Sequence, residues 1–188
     1  CGNAAGAINA PDVFKSLGVE LKELFCEPDG TFPNHHPDPT VEDNLKDLIA
    51  EMRTGQYDVG IAFDGDADRV GIVDETGDII WADQLMALFL PEIIDEGKDI
   101  LFDVKCSQAL EDMINRYGGN PIMWKTGHSL IKQKMSELGC KLGGEMSGHI
   151  FFAKRFYGYY GFDDALYAAV RLLSIISRSG ESMAQMRD

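Results

Sequence analysis

Apolar positions along this chain recur with two periods, and the two alternate. Val41, Leu45, Leu48, Ile49 and Met52 stand at helical spacing, with Thr40 and Asp43 as a variant capping box and Gly55 as a stop. Leu166, Val170, Leu173 and Ile176 form a second stripe, on a helix expected over 163–177. Shorter helices are predicted at 11–17, 83–90, 107–117 and 127–138, the first with Pro11 in its opening turn, where its missing N–H costs nothing. Alternating or continuous apolar runs predict strands at 19–26, 58–63, 70–73, 79–81, 100–104, 121–124, 141–142 and 149–153. Cys1–Gly6 reads as the tail of a strand turning into a helix. Pro28–Pro39 holds four of the seven prolines and is a loop. Strands that alternate with helices predict an α/β fold. Two consecutive layered units, 1–80 and 81–188, are expected, each a mixed sheet flanked by helices.

Charge sharpens that division. The 188 residues carry 17 bases against 31 acids, a net charge of −14, which counts against nucleic acid or anionic membrane as a partner. Residues 1–78 hold 17 acids and 5 bases, whereas residues 79–188 hold 14 and 12. The first half is suited to cations and the second to an anionic ligand; two solvated faces of different composition remain the plainer alternative. No apolar run approaches the roughly 20 residues of a membrane span. Cys1, Cys26, Cys106 and Cys140 include no C-x-x-C pair, which argues against a disulfide scaffold or zinc ribbon and for a reducing, cytoplasmic setting.

Asp64-Gly-Asp-Ala-Asp-Arg69 sets three carboxylates at alternate positions between two apolar strands. In a straight strand they would stand roughly 6.6 Å apart, too far to share an ion. Gly65 and Ala67 are small enough to let the loop curl. Converging carboxylates repel unless a cation sits among them, and hard oxygen donors select Mg²⁺ or Ca²⁺. An EF-hand would place Glu75 correctly at position twelve, but it needs Gly where Arg69 stands and helices where these flanks alternate.

The second half concentrates its chemistry in three turns. Gly143-Gly-Glu-Met-Ser-Gly-His149 brackets Glu145 and Ser147 with glycines, so both side chains should project from a flexible loop, a pairing suited to a polyol. Trp124-Lys-Thr-Gly-His-Ser129 turns a strand into a helix, where Lys125 or His128 could meet an anion. Lys105 follows a strand's carboxyl end. Ser107 and Ser129 read as helix caps, Tyr157–Gly161 as a turn packed on the core with sugar stacking as the alternative, and His35-His36 as poor zinc ligands, since adjacent residues rarely share one tetrahedral ion.

Taken together these segments resemble the α-D-phosphohexomutases, in particular the bacterial phosphomannomutase/phosphoglucomutase branch. The resemblance runs through Phe32–Pro39, Asn44–Ala50, Phe63–Val70, Phe102–Lys105, Trp124–Lys132 and Gly144–His149. Met146 favours this branch over phosphoglucosamine mutase, while Ala4, Ala67 and Pro91 depart from its usual pattern. The resemblance implies a four-domain Mg²⁺ enzyme that shifts a phosphoryl group between C1 and C6 of mannose or glucose, through a phosphoserine and a 1,6-bisphosphate. Asp64, Asp66 and Asp68 match its metal ligands, and Arg69 lies beside the phosphoserine. Glu145, Met146, Ser147, Gly148 and His149 match its sugar-binding loop; Lys105 and His128 match further contacts to the phosphosugar. Neither the phosphoserine loop nor the fourth-domain phosphate clamp occurs in this sequence. The chain is therefore expected to be domains two and three, lacking domains one and four and inactive alone. Alternatives are a phosphatase using an aspartate of the loop as nucleophile, a phosphoglucosamine mutase, and a non-catalytic sugar-phosphate module.

Overall fold

A computed structural model describes residues 1–154 and 158–187. Packing divides the chain into two α/β units, the first made of 1–80 together with 165–188 and the second of 81–164. That grouping differs from the expected 1–80 and 81–188 in residues 165–188, whose buried face is Ala165, Ala168, Ala169 and Leu172, while the expected stripe of Leu166, Val170, Leu173 and Ile176 is only half-buried.

In the first unit, β1 (Val59–Phe63), β2 (Val70–Asp74) and β3 (Ile79–Ile80) form an antiparallel sheet in the order β1-β2-β3. Central β2 is buried throughout. Helix α2 (Lys46–Met52) covers one face, with Leu45, Ile49 and Met52 packed around Val73. Helices α1 (Gly6–Ser16) and α6 (Ala165–Ser179) pack against each other, and α6 also packs on β1 and β2. The terminal turn α7 (Met183–Arg187) is fastened by Arg187, whose guanidinium meets Asp74 at 2.6 Å and Asp78 at 3.2 Å.

Three expectations fail in this unit. Pro11 lies in the middle of α1, which starts five residues earlier through short turns from Ala4 and Ala5. Thr40 does not cap a helix; its hydroxyl and N–H both go to Asp38, and a 3₁₀ turn (Glu42–Leu45) precedes α2. Residues 19–26 form no strand, and Phe25 takes a positive φ of 53°.

The second unit has sheet order β5-β4-β6-β7, from β4 (Asp99–Asp103), β5 (Asn120–Trp124), β6 (Leu142–Gly144) and β7 (Ile150–Phe152). The first three are parallel and β7 is antiparallel to β6. Chain order steps from β4 outward to β5 and back across to β6, so right-handed crossovers put α4 (Gln108–Arg116) and α5 (His128–Leu138) on opposite faces. Helix α3 (Ala82–Ile93) shares the α4 layer and runs through Pro91. Successive strand residues serve opposite layers: Leu101 and Phe151 pack with Ile131 and Met135 of α5, while Phe152 meets Phe89 of α3 edge-on. Ser129 is the second residue of α5 and not its cap, a position held by Gly127. Ser107 does occupy the cap of α4, but its side chain makes no capping bond; its N–H goes to buried Asp83. Tyr157 lies outside the described residues. Tyr160 is 74% exposed and stacks on exposed Phe162, so this part of the expected core turn faces water.

Candidate functional site

Each unit gathers polar side chains at the ends of its strands. In the first unit the gathering point is the turn between β1 and β2. Asp64 leaves β1 buried, 2% exposed, and folds its carboxylate back over its own loop. Oδ1 accepts the N–H groups of Asp68 (3.1 Å) and Arg69 (3.0 Å), and Oδ2 accepts Nε of Arg69 at 2.7 Å. The Arg69 guanidinium also reaches Asp38 at 3.4 Å. Burial disfavours the Arg69 charge, but Asp64, Asp38 and Asp68 outweigh it and hold the guanidinium's pKa above its ordinary value. Asp38 is pushed up by its own burial, yet bonds from Thr40 and the charge of Arg69 leave it below the ordinary carboxylate range.

The curl comes at Ala67, which takes φ +61°, a conformation that L-residues adopt at a cost. Its N–H closes onto the Asp64 carbonyl at 3.3 Å, and its carbonyl accepts the Ala165 N–H at 3.1 Å. Ala4, the other departure at a usual glycine, is buried without a positive φ; Gly2 and Asn3 take that role. With the loop curled, one oxygen from each of Asp64, Asp66 and Asp68 lies within 4.8 Å of the others. Ligands facing each other across a Mg²⁺ or Ca²⁺ ion stand roughly 4–5 Å apart. The three donors thus suit one hard cation.

In the second unit the sequence-predicted residues meet at the carboxyl ends of β4, β5 and β6, where open α/β sheets bind ligands. Their organiser is Asp103, the fully buried last residue of β4. Its Oδ2 accepts the Thr126 hydroxyl at 2.8 Å, from the loop after β5. Its Oδ1 accepts the Met146 N–H at 3.2 Å, from the loop after β6, and the Cys106 thiol at 3.3 Å. Burial and this carboxylate together push the Cys106 thiol far above its ordinary pKa. Lys105 is half exposed, its Nζ 3.8 Å from Asp103.

The loop after β6 is tighter than its glycines suggested. Glu145 does not project freely; it is 2% exposed and its carboxylate accepts the Gly127 N–H at the start of α5. The Glu145 N–H goes to the His149 carbonyl, and Gly148, at φ +101°, returns its N–H to the Glu145 carbonyl. A hairpin of this kind has no room for a side chain at Gly144, where a Cβ would stand 2.5 Å from the Met86 sulfur. Met146 and Ser147 remain half-buried at its tip. His149 stacks between His128 and Phe151, with ring centroids 5.9 Å apart on both sides.

Asp163 completes this group. Its carboxylate lies 2.9 Å from Lys132 Nζ, 3.4 Å from Nδ1 of His128 and 3.9 Å from Nδ1 of His149. Burial raises its pKa, but the Lys132 bond and the neighbouring charges bring it below the ordinary value. Sequence reasoning missed Asp103 and Asp163. The first was legible as an acid ending an apolar strand, two residues before Lys105; the second had no local signal.

The family models described as phosphoglucomutase/phosphomannomutase alpha/beta/alpha domains II and III match residues 1–77 and 81–188. A phosphomannomutase/phosphoglucomutase of Pseudomonas aeruginosa is 53% identical over 180 residues, 95% of this chain and 38% of that protein. A phosphoglucomutase of Neisseria gonorrhoeae is 49% identical over the same coverage. The crystal structure of a phosphoglucomutase/phosphomannomutase family protein from Burkholderia thailandensis superposes with a TM-score of 0.93 at 47% identity, over 99% of this chain and 40% of that one. The chain thus spans about two fifths of the length of these relatives. It belongs to the phosphoglucomutase/phosphomannomutase family, of which it carries domains II and III.

Proposed function

We propose that this chain supplies the metal-binding and sugar-binding domains of a Mg²⁺-dependent phosphohexomutase that interconverts the 1- and 6-phosphates of mannose or glucose. The observation that carries the reading is the aspartate loop, whose three carboxylates each bring one oxygen within 4.8 Å of the others, a spacing that suits a shared hard cation. Asp64, Asp66 and Asp68 would hold the ion, which supplies charge neutralisation to a phosphoryl group in transfer. Arg69, locked by Asp64 and Asp38, offers a fixed positive charge beside them. In the second unit Lys105 and His128 offer exposed cationic and imidazole groups toward a phosphosugar, and Ser147 offers a hydroxyl at the hairpin tip. Glu145 fits a more constrained role, since one of its oxygens already holds Gly127. The burial of Asp64 under three donors speaks against it as the nucleophile of a phosphatase.

The relay itself belongs to the full-length enzyme. Its phosphoryl group would start on a serine of a Thr-Ala-Ser-His-Asn-Pro segment, absent from these 188 residues. Calorimetric titration of Mg²⁺ into the chain should show one weak site that Asp66→Asn abolishes. Incubation with glucose 1-phosphate, Mg²⁺ and catalytic glucose 1,6-bisphosphate should yield no glucose 6-phosphate. A missing Mg²⁺ site, or turnover that Asp66→Asn removes, would overturn the reading.

A further inference from the structure

The four cysteines fall into two kinds. Cys106 and Cys140, in the second unit, are buried. Burial first, and Asp99 second, push the Cys140 thiol up to about 11, and Cys106 is raised further by its own burial and by Asp103. Both are poor nucleophiles, because the thiolate is the reactive form. Cys1 and Cys26, in the first unit, are half-buried. Their sulfurs lie 2.9 Å apart although 25 positions separate them in the chain.

The backbone on both sides holds the sulfurs in place. Gly2 and Asn3 take consecutive positive φ values of 57° and 59°, which turn the chain sharply between Cys1 and α1. Asn3 is buried and brackets the opposite segment. Its N–H donates to the Phe25 carbonyl at 2.8 Å, and its side-chain NH₂ donates to the Glu27 carbonyl at 2.8 Å. Its carbonyl accepts the Asp29 N–H at 2.8 Å, and its side-chain oxygen accepts the Asn34 side-chain NH₂ at 2.7 Å. The Cys1 nitrogen adds a bond to the Leu24 carbonyl at 2.9 Å. On the facing segment Phe25 takes φ +53°, a conformation that L-residues adopt at a cost, immediately before Cys26. The two thiols are thus mounted face to face on segments already fastened together. A disulfide would draw their sulfurs closer by less than ~1 Å.

We propose that Cys1 and Cys26 form a reversible oxidation site, a dithiol that a hydroperoxide converts to an intramolecular disulfide. The thiolate of one cysteine attacks a peroxide oxygen. The O–O bond breaks, the departing oxygen takes up a proton, and the sulfur becomes a sulfenic acid. The second thiol gives up its proton and attacks that sulfur, so that the S–S bond forms as the S–O bond breaks and water leaves. Two electrons pass from the pair of sulfurs to the peroxide: two thiols and ROOH give one disulfide, ROH and water. A dithiol reductant reverses the change by exchange and becomes the disulfide itself. Closeness decides the outcome, because a sulfenic acid formed against a second thiol is captured before a second peroxide reaches it.

In a reducing setting such a bond is transient and acts as a sensor rather than a scaffold. Once closed, it ties the turn into α1 to the loop at 24–29. The same turn reaches the aspartate loop, where the Gly65 carbonyl accepts the Ala5 N–H at 3.2 Å. The inference rests on the first unit alone and is independent of the proposed catalysis.

The test treats the chain, at low concentration, with a small molar excess of hydrogen peroxide, then counts thiols after unfolding and maps the linked peptides. Two of the four thiols should disappear, with Cys1 joined to Cys26 within one chain, and dithiothreitol should restore both. The oxidised chain should melt about 5 °C or more above the reduced one, because a loop of the unfolded chain is closed. Cys1→Ser and Cys26→Ser should each abolish both the linkage and the rise. The same linked peptide should be recovered from the full-length enzyme after the same treatment. Survival of all four thiols, loss of Cys106 or Cys140 ahead of the pair, or a disulfide found only between two copies would overturn the inference. So would a full-length enzyme in which Cys1 and Cys26 stay reduced.

Discussion

The two acidic loops of this molecule begin alike and end differently. Asp64 and Glu145 both follow a strand, both are 2% exposed, and both accept backbone N–H groups. Asp64 spends its oxygens on its own loop, four and five residues ahead. Glu145 spends one on Gly127, eighteen residues back in a different turn. The first carboxylate shapes a loop; the second ties one loop to another. A local device of the first kind is written in consecutive residues, whereas the second depends on which strands the fold makes neighbours.

The comparison breaks most severely at Asp64. Asp64→Ala leaves the half-buried Arg69 and two loop N–H groups without their acceptor, and should cost about 3–5 kcal/mol of stability. Asp66→Ala removes an exposed carboxylate of the same cluster and should stay within about 0.5 kcal/mol. Urea unfolding of the two variants separates shape from charge. Equal stability losses would show that Asp64 has no special place in the loop.

Glu145→Ala should cost less, about 1–3 kcal/mol, because one buried N–H loses its partner. Ser147→Ala, at the half-buried tip, should leave the melting temperature nearly unchanged. In the full-length enzyme both should depress turnover. If Glu145→Ala melts with the parent chain, the Gly127 bond does not organise the hairpin and the contrast with Asp64 is lost.

What the sequence made legible follows the same line. The converging aspartates, the α/β alternation and the glycine-bracketed hairpin are all encoded within a few consecutive residues. Asp103 and Asp163 are not, because each works through residues 23 to 43 or 14 to 35 positions away, brought near only by the parallel order of β5, β4 and β6 and the bridge from Phe151 to Asp163. The strand expected at 19–26 has the right alternation and still fails to form, since a strand also needs an edge to pair with. Pro11 misled for the opposite reason: a proline favours a first turn, but tertiary packing against Phe63 carries α1 back to Gly6.

Asp163 offers a smaller test, confined to acid. Its pKa in the folded chain lies below the ordinary 3.8, so its contribution is complete above that value and fades as pH falls through the folded pKa. Asp163→Asn should therefore flatten the acid limb of the stability curve below pH 4 and change little of its slope near neutrality. An unchanged acid limb would remove the Lys132–Asp163–His128 group as a charge-coupled unit.

A modest effect of reversed sign is expected at Ala67. Its φ of +61° makes it the strained residue of the aspartate loop, in a conformation that costs an L-residue about 1–2 kcal/mol. Glycine adopts it freely, but glycine also loosens the unfolded chain, which offsets about 0.4–1 kcal/mol of the relief. Ala67→Gly should then stabilise the chain by up to about 1.5 kcal/mol, while the equivalent relief is not available in the hairpin, whose positive φ already falls on Gly148. Because the Ala67 N–H and C=O hold Asp64 and Ala165, and no side-chain contact is needed for either bond, the loop should keep its shape in the variant. Mg²⁺ titration of Ala67→Gly should accordingly give an affinity close to that of the parent. A drop in melting temperature instead would mean that the alanine methyl is held by packing that outweighs its backbone strain. Affinity that falls while stability rises would show that the strain itself keeps the three carboxylates together.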